Sequence, residues 1–163
     1  MDEFVRHDYV LALDGELPVA AVPAELTVRV LHTVDDDSLA VLMEAAYAGT
    51  IDEQLGGNAD GAVEIANWRQ FVADAPASRV AADGDGRLVG ACLVGRWDGS
   101  VFVAYVVTDP AWKGRGVGAA VLAASLGALR DAAEEVVGAT ITEGNEASER
   151  LFAAFGFRRA EAP

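Results

Sequence analysis

The chain has 163 residues, 52% hydrophobic and 23% charged, which suits one packed domain and excludes a disordered polyelectrolyte. Its formal net charge of −14 argues against nucleic acid or an anionic membrane as partner, and no apolar run is long enough to span a bilayer. The lone cysteine, Cys92, excludes an internal disulfide or a cysteine metal cluster, and no metal is expected.

The opening residues, MDEFVRHDYV, lack the basic and apolar regions of a secretory leader, so a cytoplasmic setting is expected. Residues 1 to 24 read as an extension. Two short apolar runs flank Asp14-Gly15-Glu16, a turn that predicts an extra strand or a hairpin. The alternating run Leu26 to Leu31 predicts a strand. Asp35, Asp36, Asp37 and Ser38 supply caps and first-turn acids for a helix from about Leu39 to Ala48. A polar loop, Gly49 to Asn58, leads to a second helix over Ala62 to Val72.

Ser78 to Ala82 and Arg87 to Trp97 read as strands around the turn Asp83-Gly84-Asp85-Gly86. Asp98-Gly99 is a second turn, and Val101 to Thr108 is the most strand-like run in the chain. Asp109-Pro110 ends it, because proline cannot donate to a ladder. A helix follows over Val117 to Ala133, a strand over Val136 to Thr142, a short helix over Glu146 to Phe155, and a last strand from Phe157. The order predicts an α/β (α+β) fold: a mixed, mostly antiparallel central sheet with helices on both faces, as one domain over residues 1 to 163.

Between the strongest strand and its helix lies Lys113-Gly114-Arg115-Gly116-Val117-Gly118. Glycines there allow positive φ and close approach of a ligand. The unpaired N–H groups of a helix start favour anions, phosphate above all. Lys113 is the only lysine in the chain. Residues 1 to 100 carry 6 basic and 18 acidic groups, the remainder 6 and 8, so the loop is a basic spot in the less acidic part. It reads as a pyrophosphate cradle, against the alternative of a glycine-rich turn with solvated charges. Gly114, Gly116 and Ala119 also fit a dinucleotide fingerprint, G-x-G-x-x-A. Against that, Asp109 to Lys113 separate them from their strand, a long antiparallel-looking region precedes, and no convincing acidic residue ends a following strand to hold a ribose.

The stretch VVTDPAWKGRGVGA, Val106 to Ala119, resembles the acetyl-CoA motif of the GNAT superfamily of N-acetyltransferases. There a strand ends in a hydrophobic triplet, followed by x-Pro and then Arg/Gln-x-x-Gly-x-Gly/Ala at a helix start. Lys113 stands where the family usually has arginine or glutamine. A second motif agrees: Asn145, Leu151-Phe152 and Gly156-Phe157 hold the family spacing of Asn, Leu-Tyr and Gly-Phe. The resemblance spans about residues 25 to 160.

What the resemblance implies is concrete. The strand ending at Thr108 splays from the strand at Val136 to Thr142. The pantetheine arm pairs with Val106, Val107 and Thr108, and an amide near Val107 polarises the thioester carbonyl. The pyrophosphate lies on Lys113, Gly114, Arg115, Gly116, Val117, Gly118 and Ala119, while Asn145 and Phe152 border the arm. Acetyl-CoA is then the co-substrate, and an amine of a small molecule or a peptide attacks it directly in a ternary complex. The acidic amino-terminal part adds the expectation of a cationic acceptor, and the short last strand that of a homodimer whose second subunit completes the sheet edge.

Three positions depart from the family pattern. Phe152 replaces the tyrosine that protonates the leaving thiolate, and Phe102 and Thr140 stand where general bases are common. The thiolate then leaves unaided or through water, a thiol pKa of about 8.5 making it a fair leaving group. Candidate catalytic groups are Asp52 and Glu53, in the loop expected to border the acceptor, and Tyr105, with Tyr47 and Glu143 as further candidates. The alternative is an acyl-CoA-binding module without catalysis.

Overall fold

The structure is a computed structural model, and it describes residues 5–48 and 60–160. Strands β1 (Arg6–Ala12), β2 (Thr27–Val30), β3 (Arg79–Ala82), β4 (Leu88–Trp97), β5 (Ser100–Thr108), β6 (Val136–Thr142) and β7 (Arg158–Arg159) form one sheet in the order β2-β3-β4-β5-β6-β1-β7. Every neighbouring pair is antiparallel except β5 and β6, which run parallel. Helices α1 (Asp36–Tyr47) and α2 (Gly61–Phe71) lie on one face; α3 (Val117–Asp131) and α4 (Glu146–Ala154) lie on the other.

The two faces follow from sequence periodicity. Leu39, Leu42, Met43 and Ala46 recur at helical spacing on α1 and are buried with Ile65 and Trp68 of α2 against Val80, Ala91, Leu93 and Val107. Val121, Leu122, Leu126 and Leu129 of α3 pack on the opposite face against Val89, Cys92, Val103 and Val137. Cys92 is buried, and burial pushes its thiol up to about 12, so it stays protonated and unreactive. The Asp98-Gly99 turn joins β4 to β5 with both residues at positive φ, 50° and 79°, as a two-residue hairpin requires.

The amino-terminal segment departs from the hairpin expectation. Its first run is a strand, β1, but it pairs over seven residues with β6, from Arg6↔Thr142 to Ala12↔Val136, and then with β7. The second run forms no strand. Proline at positions 18 and 23 removes ladder donors there, and the partner β1 finds is distant in sequence. The third helix stops at Asp131, two residues before the expected end, because Ala133 adopts φ 63°. Among the described residues, no helix is long and apolar enough to cross a membrane.

Candidate active site

The site begins with an irregularity in β5. Leu93 of β4 faces Tyr105, but Val94 faces Val103, so Ala104 is an extra residue in β5. Side-chain faces record the same bulge: Val103 belongs to the α3 core, Ala104 and Tyr105 both turn to the α1/α2 core, and Val106 returns to the first. A bulge bends its strand and strengthens the local twist. The pairing of β5 with β6 covers only Phe102↔Gly138 and Val103↔Ala139, ending at the residue before the bulge. Beyond it the strands part around a cleft of about 760 Å³.

The open strand presents backbone to this cleft. Asp109 N–H donates to the Val89 carbonyl at 2.8 Å, which sets the phase of the β4–β5 ladder. Hydrogen-bonded and open positions alternate along an antiparallel pair. Val107 and Tyr105 therefore bond to β4, while Val106 and Thr108 direct N–H and C=O toward the gap. Of the three residues expected to hold an extended arm, Val106 and Thr108 offer their backbone, and Val107 contributes position while its side chain sits in the α1/α2 core.

One end of the cleft is the glycine loop. Asp109 accepts from Ala111 N–H at 2.8 Å and pairs with Arg87 at 3.0 Å, fixing the turn Pro110–Trp112. Gly114 and Gly116 then adopt φ 77° and 85°, a region that favours glycine. Gly116 opens α3 without a side-chain cap, and the first helical bond is Ala120 N–H to its carbonyl at 3.0 Å. Val117, Gly118 and Ala119 N–H thus have no partner within the helix. By contrast, Asp60 caps α2 and Asn145 caps α4, accepting from Ser148 N–H at 3.3 Å. A Cβ on Gly118 would stand 3.6 Å from Thr108 Oγ1 and Leu151 Cδ2, so its bare backbone forms part of the cleft floor.

Lys113, Gly114, Gly116, Val117, Gly118, Asn145 and Phe152 all border the cleft. Arg115 does not: its guanidinium stacks 4.0 Å from the Trp112 ring and pairs with Glu25 at 3.4 Å. Ala119 packs against the α3 core. Phe152 is buried edge-to-face on Phe157 with ring centroids 4.9 Å apart, and offers no proton. The cleft also includes Arg6, which β1 places opposite Thr142.

At the other end stands a carboxylate that sequence reasoning missed. Tyr105 Oη donates to Glu64 Oε2 at 2.7 Å. Burial, and then the Glu64 hydrogen bond, push the phenol well above its usual pKa, so Tyr105 remains a neutral donor. Glu64 is fixed through its helix. Gly61 lies so close to α1 that a Cβ would be 2.2 Å from the Ala40 carbonyl oxygen, and Gly61 N–H donates to Glu44 Oε1 at 2.8 Å. In the sequence, Glu64 looks like an ordinary first-turn acid on a helix. Only the spatial meeting with Tyr105 distinguishes it.

Glu64 also borders a second cavity of about 440 Å³, walled by Trp68, Phe71, Val72 and Phe102, with Asn67 and Thr140. Trp68 Nε1 is tied to the Val94 carbonyl at 3.1 Å. Thr140 Oγ1 donates to Asp8 Oδ1 at 3.0 Å. The expected candidates Asp52 and Glu53 lie outside the described residues.

A split parallel pair beside an uncapped glycine-rich helix start is an arrangement that comparison with other proteins recognises. The family model described as the acetyltransferase (GNAT) family matches residues 44–157. The chain belongs to this family. Solved structures agree on the GNAT fold. A GCN5-related N-acetyltransferase from Sphaerobacter thermophilus matches at 21% identity and TM-score 0.74, over 95% of this chain and 48% of that one. A tandem GNAT protein from the clavulanic acid biosynthesis pathway matches at 19% and 0.70, over 98% and 51%. A Salmonella typhimurium protein solved with its cofactor acetyl-CoA matches at 22% and 0.65, over 82% and 80%. The chain therefore spans about half the length of the first two of these GNAT structures. No curated protein matches it significantly.

Proposed function

We propose that this GNAT domain transfers the acetyl group of acetyl-CoA to a primary amine. The observation that carries the reading is the cleft itself, in which an open β5 edge leads to the start of α3, where Val117, Gly118 and Ala119 N–H have no partner within the helix and no side chain caps it. An extended pantetheine arm is a fit for the first, adding as a strand to Val106 and Thr108. A pyrophosphate is a fit for the second, with Lys113 alongside. The Salmonella relative solved with acetyl-CoA adds support for the nucleotide.

In this reading the thioester carbonyl lies against the Val106 N–H, which stabilises the developing oxyanion. The acceptor ammonium enters beside Glu64, which takes its proton directly or through one water. The freed lone pair then attacks the carbonyl carbon; the C–N bond forms, the attacking nitrogen gives its second proton to solvent, and the C–S bond breaks with its electrons going to sulfur. Solvent protonates the thiolate, since Phe152 cannot. Alignment of two bound substrates supplies much of the acceleration.

Calorimetric titration with acetyl-CoA, CoA and NAD tests the reading. Both CoA species bind and NAD does not, and Gly116→Trp, which forces a side chain onto φ 85°, weakens CoA by about tenfold or more because the helix-start donors are displaced. No CoA binding by the wild type would remove the proposal. A second reading, an acyl-CoA-binding module without catalysis, is favoured by the absence of a proton donor at Phe152 and of a base at Phe102 and Thr140. It predicts tight CoA binding with no acetyl transfer to any amine.

A further inference from the structure

We propose that the acceptor is a small arylalkylamine: a primary ammonium joined by a short aliphatic link to an aromatic ring. The inference rests on the acetyl-transfer reading above and names the substrate class of the same site. The 440 Å³ cavity and the cleft share Glu64, Val103, Ala104, Tyr105 and Thr140, so a molecule in one reaches the other. The cavity's size suits a drug-sized or smaller ligand.

Its walls specify an apolar body. Four aromatic side chains, Trp68, Phe71, Phe102 and Tyr105, line it with Val72. Trp68 Nε1 donates to a backbone carbonyl and the Thr140 hydroxyl proton goes to Asp8, so both of these donors are engaged, and Asn67 adds one amide to the lining. Phe71 is 60% exposed at the cavity's edge, a large ring that solvent covers in the free protein. Phe102 on β5 and Thr140 on β6 put a ring and a hydroxyl, and no carboxylate, on the wall between the two strands.

Among the described residues, the charged group lining the cavity is the Glu64 carboxylate, and it stands at the boundary with the cleft. One anion at the mouth of an apolar chamber matches one ammonium on an apolar group, with the nitrogen held toward the thioester. The hydroxyl groups of an aminosugar would lose water against aromatic rings that offer no hydrogen-bond partner, and a polyamine would leave much of the apolar wall uncovered. The Phe102 ring is held over Gly95, where a Cβ would stand 2.5 Å from Cζ, so glycine at position 95 sets the depth of the chamber.

The test measures CoA release by the intact chain at saturating acetyl-CoA with 2-phenylethylamine, tryptamine, ethylamine, spermidine and glucosamine. Acetyl-CoA binding is measured in parallel by calorimetry. The expected result is a kcat/KM for 2-phenylethylamine about 10- to 100-fold above that for ethylamine, the usual gain from burying an aromatic ring. Phe71→Ser raises KM for the aryl amines by a larger factor than KM for ethylamine, whereas Glu64→Gln lowers turnover of both. Preference for spermidine or glucosamine, or equal use of ethylamine and 2-phenylethylamine, overturns the inference while acetyl transfer stands. If acetyl-CoA binds and no amine is acetylated, saturation-transfer NMR with 2-phenylethylamine separates the two claims: contact that Phe71→Ser abolishes keeps the chamber's specificity, and no contact sinks it. Failure to bind acetyl-CoA removes the function on which the inference rests.

Discussion

At Tyr105 and Glu64, two residues 41 positions apart make one hydrogen bond that links α2 to the bulged strand. The phenol's raised pKa has a consequence for stability. The unfolded chain releases this proton near pH 10, the ordinary tyrosine value, whereas the folded chain keeps it. Above that pH the unfolded state binds fewer protons than the native one, so stability falls as pH rises toward the folded pKa. Urea unfolding followed between pH 8 and pH 11 should show a midpoint that declines at the alkaline end, and Tyr105→Phe should flatten the decline. The sequence put Tyr105 among the candidate catalytic groups. It gave no sign of Glu64, since a carboxylate in a helix's first turn has a sufficient local explanation and the partner lies on another element.

At the scale of elements, the packing of α2 on α1 determines where Glu64 stands. Gly61 makes the close approach possible, and its neighbour is backbone, the Ala40 carbonyl, which cannot rotate aside. Gly61→Ala should therefore cost about 1–3 kcal/mol in stability, as overpacked contacts do. Because α2 must lift off, KM for the amine should rise while the affinity for acetyl-CoA, bound at the other end of the cleft, holds. Chemical denaturation and steady-state kinetics check the two halves of that expectation. Local sequence was a good guide to these elements, because Leu39, Leu42, Met43 and Ala46 declare a helix face and VFVAYVVT declares a strand. It was a poor guide to pairing. The Asp14-Gly15 turn suggested that the first strand doubles back, but β1 instead lies between β6 and β7. A register against a strand more than a hundred residues away leaves no local trace. The bulge at Ala104 was equally silent, since alternation within so apolar a run hides a single slip.

For the whole molecule, the sheet consists of two antiparallel blocks, β2 to β5 and β6-β1-β7, joined by two residue pairs at Phe102 and Val103. The first block carries α1 and α2, and β1 completes the second by covering the edge of β6 and bringing Arg6 to the cleft. The two motifs read in the sequence thus sit on opposite sides of one seam, the glycine loop after β5 and Asn145 after β6. That seam has a signature in hydrogen–deuterium exchange. Amides in the middle of a sheet ordinarily exchange only when the domain opens, but Val106 and Thr108 face a gap and should label at rates typical of a surface loop. Val107 and Tyr105, bonded to β4, should remain protected, so protection along one continuous strand should alternate residue by residue. A molecule that lies along the open edge would erase the alternation, and its disappearance would report occupancy of the seam at single-residue resolution without any assay of chemistry.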